Sequence, residues 1–151
     1  MLIGILSDTH GVVPVTLHEA FAGVRHIVHA GDIGGEAVLA ELESIAPVLA
    51  VRGNTDRDAL GWRLPERLNV RLGGVRMLVG HVEQRVVGAG VPADVSVVVT
   101  GHTHIPRVTR RDGVIHVNPG AAGGAARGGH GPTAAVLDTA VDGLSVSILD
   151  L

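Results

Sequence analysis

The chain has no cysteine, lysine or tyrosine, and only one tryptophan and one phenylalanine among its 151 residues. The lack of cysteine excludes disulfides, thiolate metal ligands and cysteine nucleophiles, and it fits a reducing compartment. The lack of lysine excludes enzymes that depend on a P-loop lysine or a Schiff-base lysine. Any metal ion bound by this chain must therefore be held by nitrogen and oxygen atoms.

Aromatic residues make up 1% of the chain although 46% of it is hydrophobic, so the core must consist mainly of valine, leucine, isoleucine and alanine. The net charge of -3 and the scattered arginines give little support for nucleic-acid binding. No apolar run approaches the roughly 18 residues that a membrane span needs, and the apolar N-terminal segment lacks a basic leader. We expect one domain over residues 1–151. The protein is expected in the cytoplasm and without a membrane partner, and both a monomer and a homo-oligomer are compatible with the sequence.

The first half of the chain alternates between strand-like and helix-like segments. Short apolar runs that stop at a glycine or serine followed by a polar residue predict buried strands at 2–6, 26–30 and 48–51, and further along the chain at 75–79 and 95–99. Segments 14–21 and 35–45 have features of helices, the first beginning at a proline and the second carrying apolar residues at helical spacing. The first half is therefore predicted to be β-α-β-α-β.

The second half contains three predicted hairpins. Gly73-Gly74 separates strands 68–72 and 75–79, Asp112-Gly113 separates 107–109 and 114–117, and Asp142-Gly143 separates 134–137 and 144–149. Together with the first half, these pairs predict an α/β fold with mixed sheets covered by helices.

Polar residues follow the apolar runs in a repeated pattern. Ligands in open α/β sheets bind at the carboxyl ends of strands, so side chains that follow different strands can meet there. Residues two apart in an extended segment point to the same side and can chelate one ion. Two carboxylates, four imidazoles and one amide suit Mn, Fe, Zn, Ni or Co, and they are too many ligands for one ion. The candidate ligands are Asp8, His10, Asp32, Asn54, His81, His102 and His104.

The order of these motifs resembles that of the calcineurin-like metallophosphoesterase superfamily, and within it the small bacterial and archaeal phosphodiesterases related to the retromer subunit Vps29. The resemblance covers residues 2 to about 137 and implies a four-layer α/β/β/α sandwich of two mixed sheets. The motifs that carry it are Asp8-Thr9-His10, Gly31-Asp32, Gly53-Asn54-Thr55-Asp56, Gly80-His81, Gly101-His102-Thr103-His104 and Asn118-Pro119-Gly120.

The resemblance also implies how the ligands divide between two divalent metal ions. One ion is expected on Asp8, His10, Asp32 and His104, and the other on Asp32, Asn54, His81 and His102, with Asp32 as the bridge. Manganese is the expected metal, with Fe, Zn, Ni or Co as alternatives.

The implied reaction is hydrolysis of a phosphate ester, most readily a phosphodiester, by in-line attack of a hydroxide held between the two ions. Asp32 and Asn54 are the expected catalytic residues, and Asn54 and Thr55 are expected to bind the substrate. Thr55 stands where the family usually has histidine or cysteine, which leaves open which group protonates the leaving oxygen. The alternative function is a Vps29-like protein-interaction scaffold that binds metal with little or no catalysis.

Two further residues carry expectations. His29 precedes the Gly31-Asp32 motif, and it either orients Asp32 or serves as a structural histidine. Trp62 is expected to pack in the fold or at an interface and not to stack on a base.

Overall fold

The computed structural model of the chain describes residues 1–124, 127–140 and 143–151. Its strands are β1 (Leu2–Leu6), β2 (His26–His29), β3 (Val48–Ala50), β4 (Arg67–Leu72), β5 (Val75–Gly80), β6 (Val97–Val99), β7 (Arg107–Arg111), β8 (Val114–Asn118), β9 (Thr133–Asp138) and β10 (Ser145–Asp150). Its helices are α1 (Leu17–Ala20), α2 (Glu36–Glu43), α3 (Ala59–Arg63) and α4 (Glu83–Gly88).

The strands form two five-stranded mixed sheets, as predicted. The first has the order β10-β9-β1-β2-β3, and the second has the order β4-β5-β6-β8-β7. Strands β1, β2 and β3 are parallel, as are β5, β6 and β8, whereas β9, β10, β4 and β7 pair antiparallel. Parallel neighbours need crossover connections, which α1, α2 and α4 supply on the outer faces.

Successive side chains of a strand point to opposite faces of its sheet, and the buried apolar residues form three clusters. Ile5 and Val28 of the first sheet pack against Val79 and Val99 of the second, which forms the core between the sheets. The outer face of the first sheet packs against α1 and α2, and that of the second packs against α4 through Val86. These packed layers give the α/β sandwich that the sequence predicted.

The two predicted helices are shorter in the structure. The first spans only Leu17–Ala20 because proline and β-branched residues dominate the segment before it. Helix α2 begins after Gly35, whose φ of 138° is incompatible with a helix. Helix α4 was not predicted because six residues are too few to show a helical period.

Two of the three predicted hairpins are confirmed. Strands β4 and β5 pair across Gly73-Gly74, and β7 and β8 pair across Asp112-Gly113. Strands β9 and β10 also pair antiparallel, although Asp142 of their predicted turn lies outside the described residues. No helix within these described ranges has both the length and the apolar composition needed to cross a bilayer.

Candidate metal centre

The loops after five strands bring the candidate ligands together. Each loop follows the carboxyl end of a strand that has a parallel neighbour, namely β1, β2 and β3 in the first sheet and β5 and β6 in the second. The two sheets face each other, so these ends lie along one side of the sandwich. The structure brings Asp8, His10, Asp32, His81 and His104 into two groups of potential ligand atoms. Asn54 Oδ1 contacts His81 Nε2, and the His102 ring lies against His81 without belonging to either group.

The first group of potential ligands consists of Asp8, His10 and His104. Asp8 Oδ1 lies 3.0 Å from His104 Nε2 and 3.8 Å from His10 Nε2. The two imidazole Nε2 atoms are 3.4 Å apart. These atoms face a common point at which one cation could contact all three.

The second group consists of Asp8, Asp32 and His81. His81 Nε2 lies 3.4 Å from Asp32 Oδ2, 4.0 Å from Asp8 Oδ1 and 3.0 Å from Asn54 Oδ1. The His81 ring is oriented through Nδ1, which lies 2.8 Å from the carbonyl oxygen of Ala30. This leaves Nε2 directed toward the carboxylates.

The carboxylates of Asp8 and Asp32 each lie within 4.0 Å of an imidazole nitrogen of both groups. Asp32 Oδ2 lies 4.0 Å from His10 Nε2 in addition to its contact with His81, which is compatible with the predicted bridge. Asp8 belongs to both groups of three, a shared position that the sequence did not indicate. His102 stacks edge-on against His81, with ring centroids 5.2 Å apart.

The surroundings of the Asp8 carboxylate show whether the site suits a cation. One oxygen, Oδ2, accepts hydrogen bonds from the Ser7 hydroxyl at 2.6 Å and from the His102 backbone N–H at 3.0 Å. Oδ1 is buried and accepts no hydrogen bond from the described residues, although imidazole Nε2 atoms surround it. A buried oxygen of this kind is costly unless a cation or donor contacts it, so the donor set fits divalent transition metals.

The backbone of the site adopts a conformation that residues other than glycine rarely take. Outside glycine, the described chain has six residues with positive φ, and one of them, Asp112, lies in a hairpin turn. Such a conformation costs about 1–3 kcal/mol per residue and clusters at functional sites. The other five are all candidate ligands: Asp8, His10, Asp32, His102 and His104.

Asp32 and His81 influence each other's ionisation. Burial raises the pKa of Asp32, but interactions with His81 and with the backbone and side chain of Thr55 hold that pKa well below its usual range. Burial lowers the pKa of His81, but hydrogen bonding to Asp32 and the charge of Asp8 raise it overall. Without metal the two side chains therefore favour an ion pair, which a cation would have to replace.

Thr55 is directed toward Asp32. Its backbone N–H donates a 2.9 Å hydrogen bond to Asp32 Oδ1, and its side chain also lowers the pKa of Asp32. The residue thus orients the carboxylate that is predicted to bridge the ions. Its predicted contact with substrate stays a prediction.

Asp56 organises the loops that carry Asp32 and Asn54. Its buried carboxylate accepts hydrogen bonds from the backbone N–H groups of Ile33 at 2.8 Å, Gly34 at 3.2 Å and Gly53 at 2.8 Å. Asp56 belongs to the Gly53-Asn54-Thr55-Asp56 motif, and no role was predicted for it. The sequence signal for that role is an aspartate two residues after Asn54, because aspartate side chains commonly accept hydrogen bonds from backbone N–H groups of nearby loops.

Asn118 fixes the loop of His102 and His104 in a similar manner. Its Nδ2 donates to the carbonyl oxygen of Gly101 at 2.7 Å and to the hydroxyl of Thr103 at 3.1 Å. Its Oδ1 accepts from the backbone N–H of Gly120 at 2.9 Å. Asn118 of the Asn-Pro-Gly motif therefore fixes the backbone of the loop that carries the two histidines.

His29 is structural and does not orient Asp32. Thr9 donates its single hydroxyl proton to the carbonyl of Ile33 at 2.8 Å, so His29 Nε2, 2.9 Å away, must be the donor to Thr9 Oγ1. His29 Nδ1 accepts from the backbone N–H of Gly31 at 3.2 Å. Burial, reinforced by the charge of His81, lowers the pKa of His29 to about 3 and keeps it neutral.

Two glycines allow the loops to approach the carboxylates. A Cβ on Gly53 would overlap the Asp32 backbone N and Oδ1, and a Cβ on Gly101 would overlap the Ser7 hydroxyl. Any larger residue at either position would displace a candidate ligand or its hydrogen-bond donor.

Comparisons with known proteins agree with this geometry. The sequence profile of the calcineurin-like phosphoesterase superfamily domain matches residues 1–142. A probable metallophosphoesterase of Methanothermobacter thermautotrophicus is 38% identical over 133 residues, which covers 80% of this chain and 76% of the relative.

Solved structures share the fold over nearly the whole chain. A novel archaeal phosphodiesterase superimposes with a TM-score of 0.79 at 27% identity and covers 99% of this chain and 100% of that one. Zinc-bound Vps29 from Entamoeba histolytica gives a TM-score of 0.77 at 19% identity, with 99% of each chain covered. At that identity the likeness to Vps29 shows the fold alone.

Proposed function

The chain belongs to the calcineurin-like phosphoesterase superfamily, and we propose that it is a phosphodiesterase that depends on two divalent metal ions. Members named metallophosphoesterase and phosphodiesterase support a metal-dependent hydrolase of phosphate esters. Two metal ions and a diester substrate are the finer parts of the proposal.

One observation carries the proposal: two overlapping groups of potential nitrogen and oxygen ligands share Asp8, and Asp32 Oδ2 lies 4.0 Å from His10 Nε2 of the first group and 3.4 Å from His81 Nε2 of the second. We assign one ion to Asp8, His10, Asp32 and His104, and the other to Asp32, Asn54, His81 and His102. A pair of divalent cations supplies an activated water for attack on phosphorus and neutralises the phosphoryl oxygens. Manganese suits this mixture of imidazole, carboxylate and amide, as do Fe, Zn, Ni and Co.

In this proposal Asn54 contributes to both the metal site and substrate binding. Its Oδ1 faces His81 Nε2 at 3.0 Å, which turns the amide oxygen toward the candidate ligands. The residue is otherwise exposed, so its Nδ2 group is available to donate a hydrogen bond to a phosphoryl oxygen. Asn54 would thereby position the ester while its oxygen serves the site.

In this proposal the site lacks a general acid at Thr55 that could protonate the leaving group. A threonine hydroxyl has a pKa far above neutrality and cannot act as a general acid, and Thr55 is already engaged with Asp32. The leaving oxygen must then depart as an anion or take its proton from solvent. We therefore propose a preference for esters with good leaving groups.

The test is manganese-dependent hydrolysis of bis(p-nitrophenyl) phosphate by the chain and by His104→Ala. A matched control is His18→Ala, since His18 is an exposed histidine of α1 whose partner is Glu41. We expect His104→Ala to lose hydrolysis and His18→Ala to retain it. Equal activity in both variants would contradict the assignment of His104.

The alternative, a Vps29-like scaffold, shares this fold and is distinguished by the same assay. A scaffold would bind manganese without hydrolysing the diester, and its His104→Ala variant would lose only metal. Absence of manganese-dependent turnover in protein that binds the metal would favour the scaffold.

A further inference from the structure

A cavity of about 440 Å³ adjoins the candidate metal centre and shares Asn54 and His81 with it. Its volume is within the range of cavities that take small organic ligands. The shared residues mean that a group in the cavity would be continuous with a phosphoryl group at the ions. The cavity is lined by Arg52, Arg57, Arg67 and Arg85, by Trp62, and by the carboxylates Asp56 and Glu66.

The lining carries an excess of positive charge. Glu66 is paired with Arg52 at 2.7 Å, and the carboxylate of Asp56 is used by three backbone N–H groups. Within residues 1–124, 127–140 and 143–151, the other three arginines have no carboxylate partner. Such a concave cationic surface attracts anions and raises their local concentration.

The three unpaired arginines come from separate parts of the fold. Arg57 donates through Nε to the backbone oxygen of Asn54 at 3.1 Å, which holds its guanidinium beside that residue. Arg67 donates to the backbone oxygen of Gly90. Arg85 projects from α4 and is exposed. Guanidinium groups arranged in this manner match the oxygens of phosphate or carboxylate.

Trp62 lines the same cavity. It is 73% exposed, so the expectation that it packs in the fold is wrong for this chain. The Arg52 guanidinium lies 5.3 Å from the centre of its ring. An anion that enters the cavity would therefore bind near the only tryptophan of the chain.

We infer that this cavity binds a second anionic group of the substrate, a phosphate or a carboxylate, carried on the alcohol part of the ester. This inference rests on the proposed function, because it assigns the scissile phosphoryl group to the adjoining metal centre. The substrate class is then a phosphodiester whose alcohol part carries a second anionic group, and not one whose alcohol part is neutral or cationic.

The kinetic test uses p-nitrophenyl phosphodiesters that share one leaving group. Their second alcohol is 2-phosphoethanol, ethanol or choline, which makes it anionic, neutral or cationic. We expect kcat/KM to fall in that order, with about a 10- to 100-fold preference for the anionic over the neutral ester, as one charge-assisted contact provides. Arg57→Gln and Arg85→Gln should each reduce this preference about 10-fold.

Arg110→Gln is the matched control, because Arg110 is an exposed arginine of β7 that donates to the Gly113 backbone oxygen and lies outside the cavity. It should leave the preference unchanged. Equal kcat/KM for the three esters in the unmodified chain would overturn the inference while leaving the phosphodiesterase intact. An equal loss of preference in Arg85→Gln and Arg110→Gln would also overturn it.

A binding measurement separates the inference from catalysis. Emission of Trp62 is followed while ethylene glycol bisphosphate is added to the full chain, with manganese and with chelator. We expect a saturable change that Arg85→Gln weakens about 10-fold or more. If no ester is hydrolysed, the proposed function fails, and the titration alone decides: a saturable change supports an anion site, and an unchanged emission overturns it.

Discussion

Replacing Asp8 by asparagine should stabilise the metal-free protein and reduce the stabilisation that metal provides. Asp8 Oδ1 is buried without a hydrogen-bond donor, and His104 Nε2 lies 3.0 Å away. In the variant an amide nitrogen can occupy this position and donate toward the imidazole, while the amide oxygen keeps the hydrogen bonds from Ser7 and His102. The unfavourable burial of an unsatisfied oxygen is thereby relieved.

The magnitude follows from the cost of an unsatisfied buried polar atom, about 1–3 kcal/mol. For a chain of this length, about 2 kcal/mol corresponds to a rise in Tm of roughly 4–8 °C. Manganese at about 100 times its Kd should stabilise the unmodified chain by about 2.7 kcal/mol for each ion bound, and the variant by less because the ion assigned to Asp8 is weakened. The melting temperature of the unmodified chain should therefore rise more than that of the variant when metal is added.

The assay is thermal unfolding at pH 8, where unperturbed histidines are neutral, with excess chelator and with excess manganese. Asp138→Asn is the control, because Asp138 is a half-buried carboxylate at the end of β9 whose contact with the N-terminus contributes little. A metal-free Asp8→Asn protein that melts below the unmodified chain would refute the argument from the buried oxygen. Equal metal-induced shifts in both proteins would refute the role of Asp8 as a ligand.

Three further predictions concern His29, Asp56 and Thr55. The pKa of His29 is lowered to about 3, so its contribution to stability is complete above pH 6.5 and is lost at about 1.4 kcal/mol per pH unit as pH falls toward 3. Urea unfolding with chelator should thus depend less on pH in His29→Gln, and parallel curves would contradict this. Asp56→Ala leaves three backbone N–H groups unpaired and should lower the free energy of unfolding by about 3 kcal/mol or more, measured by urea denaturation; a loss below about 1 kcal/mol would show that the carboxylate is dispensable. Across aryl and alkyl diesters, kcat/KM should fall steeply as leaving-group pKa rises, and Thr55→His should help the poor leaving groups by at most about 10²–10⁴-fold; a flat dependence in the unmodified chain would show that another group supplies the proton.

The sequence predicts the framework and the position of the candidate ligands because both depend on local patterns. Apolar runs that end in Gly-Asp or Gly-His mark strand ends, and parallel strands bring such ends to one edge. Asp32 and His81, which lie 49 positions apart by their numbers, could thus be assigned to one site before their atoms were seen to be 3.4 Å apart.

Features that depend on side-chain direction could not be predicted in the same manner. The shared position of Asp8 follows from its positive φ of 55° and from two donors that fix Oδ2, and no spacing in the sequence encodes either. The cavity is assembled from the loop after β3, from α3, from β4 and from α4, so its arginines form no run in the sequence. Helix α4, which supplies Arg85, was itself too short to predict.

The number of manganese ions bound per chain tests the central claim most directly. Protein stripped with chelator is dialysed against manganese, and the bound metal is measured by elemental analysis relative to protein concentration. The two overlapping groups of potential ligands, which share Asp8, predict two equivalents. One equivalent or none at saturating manganese would contradict a binuclear centre.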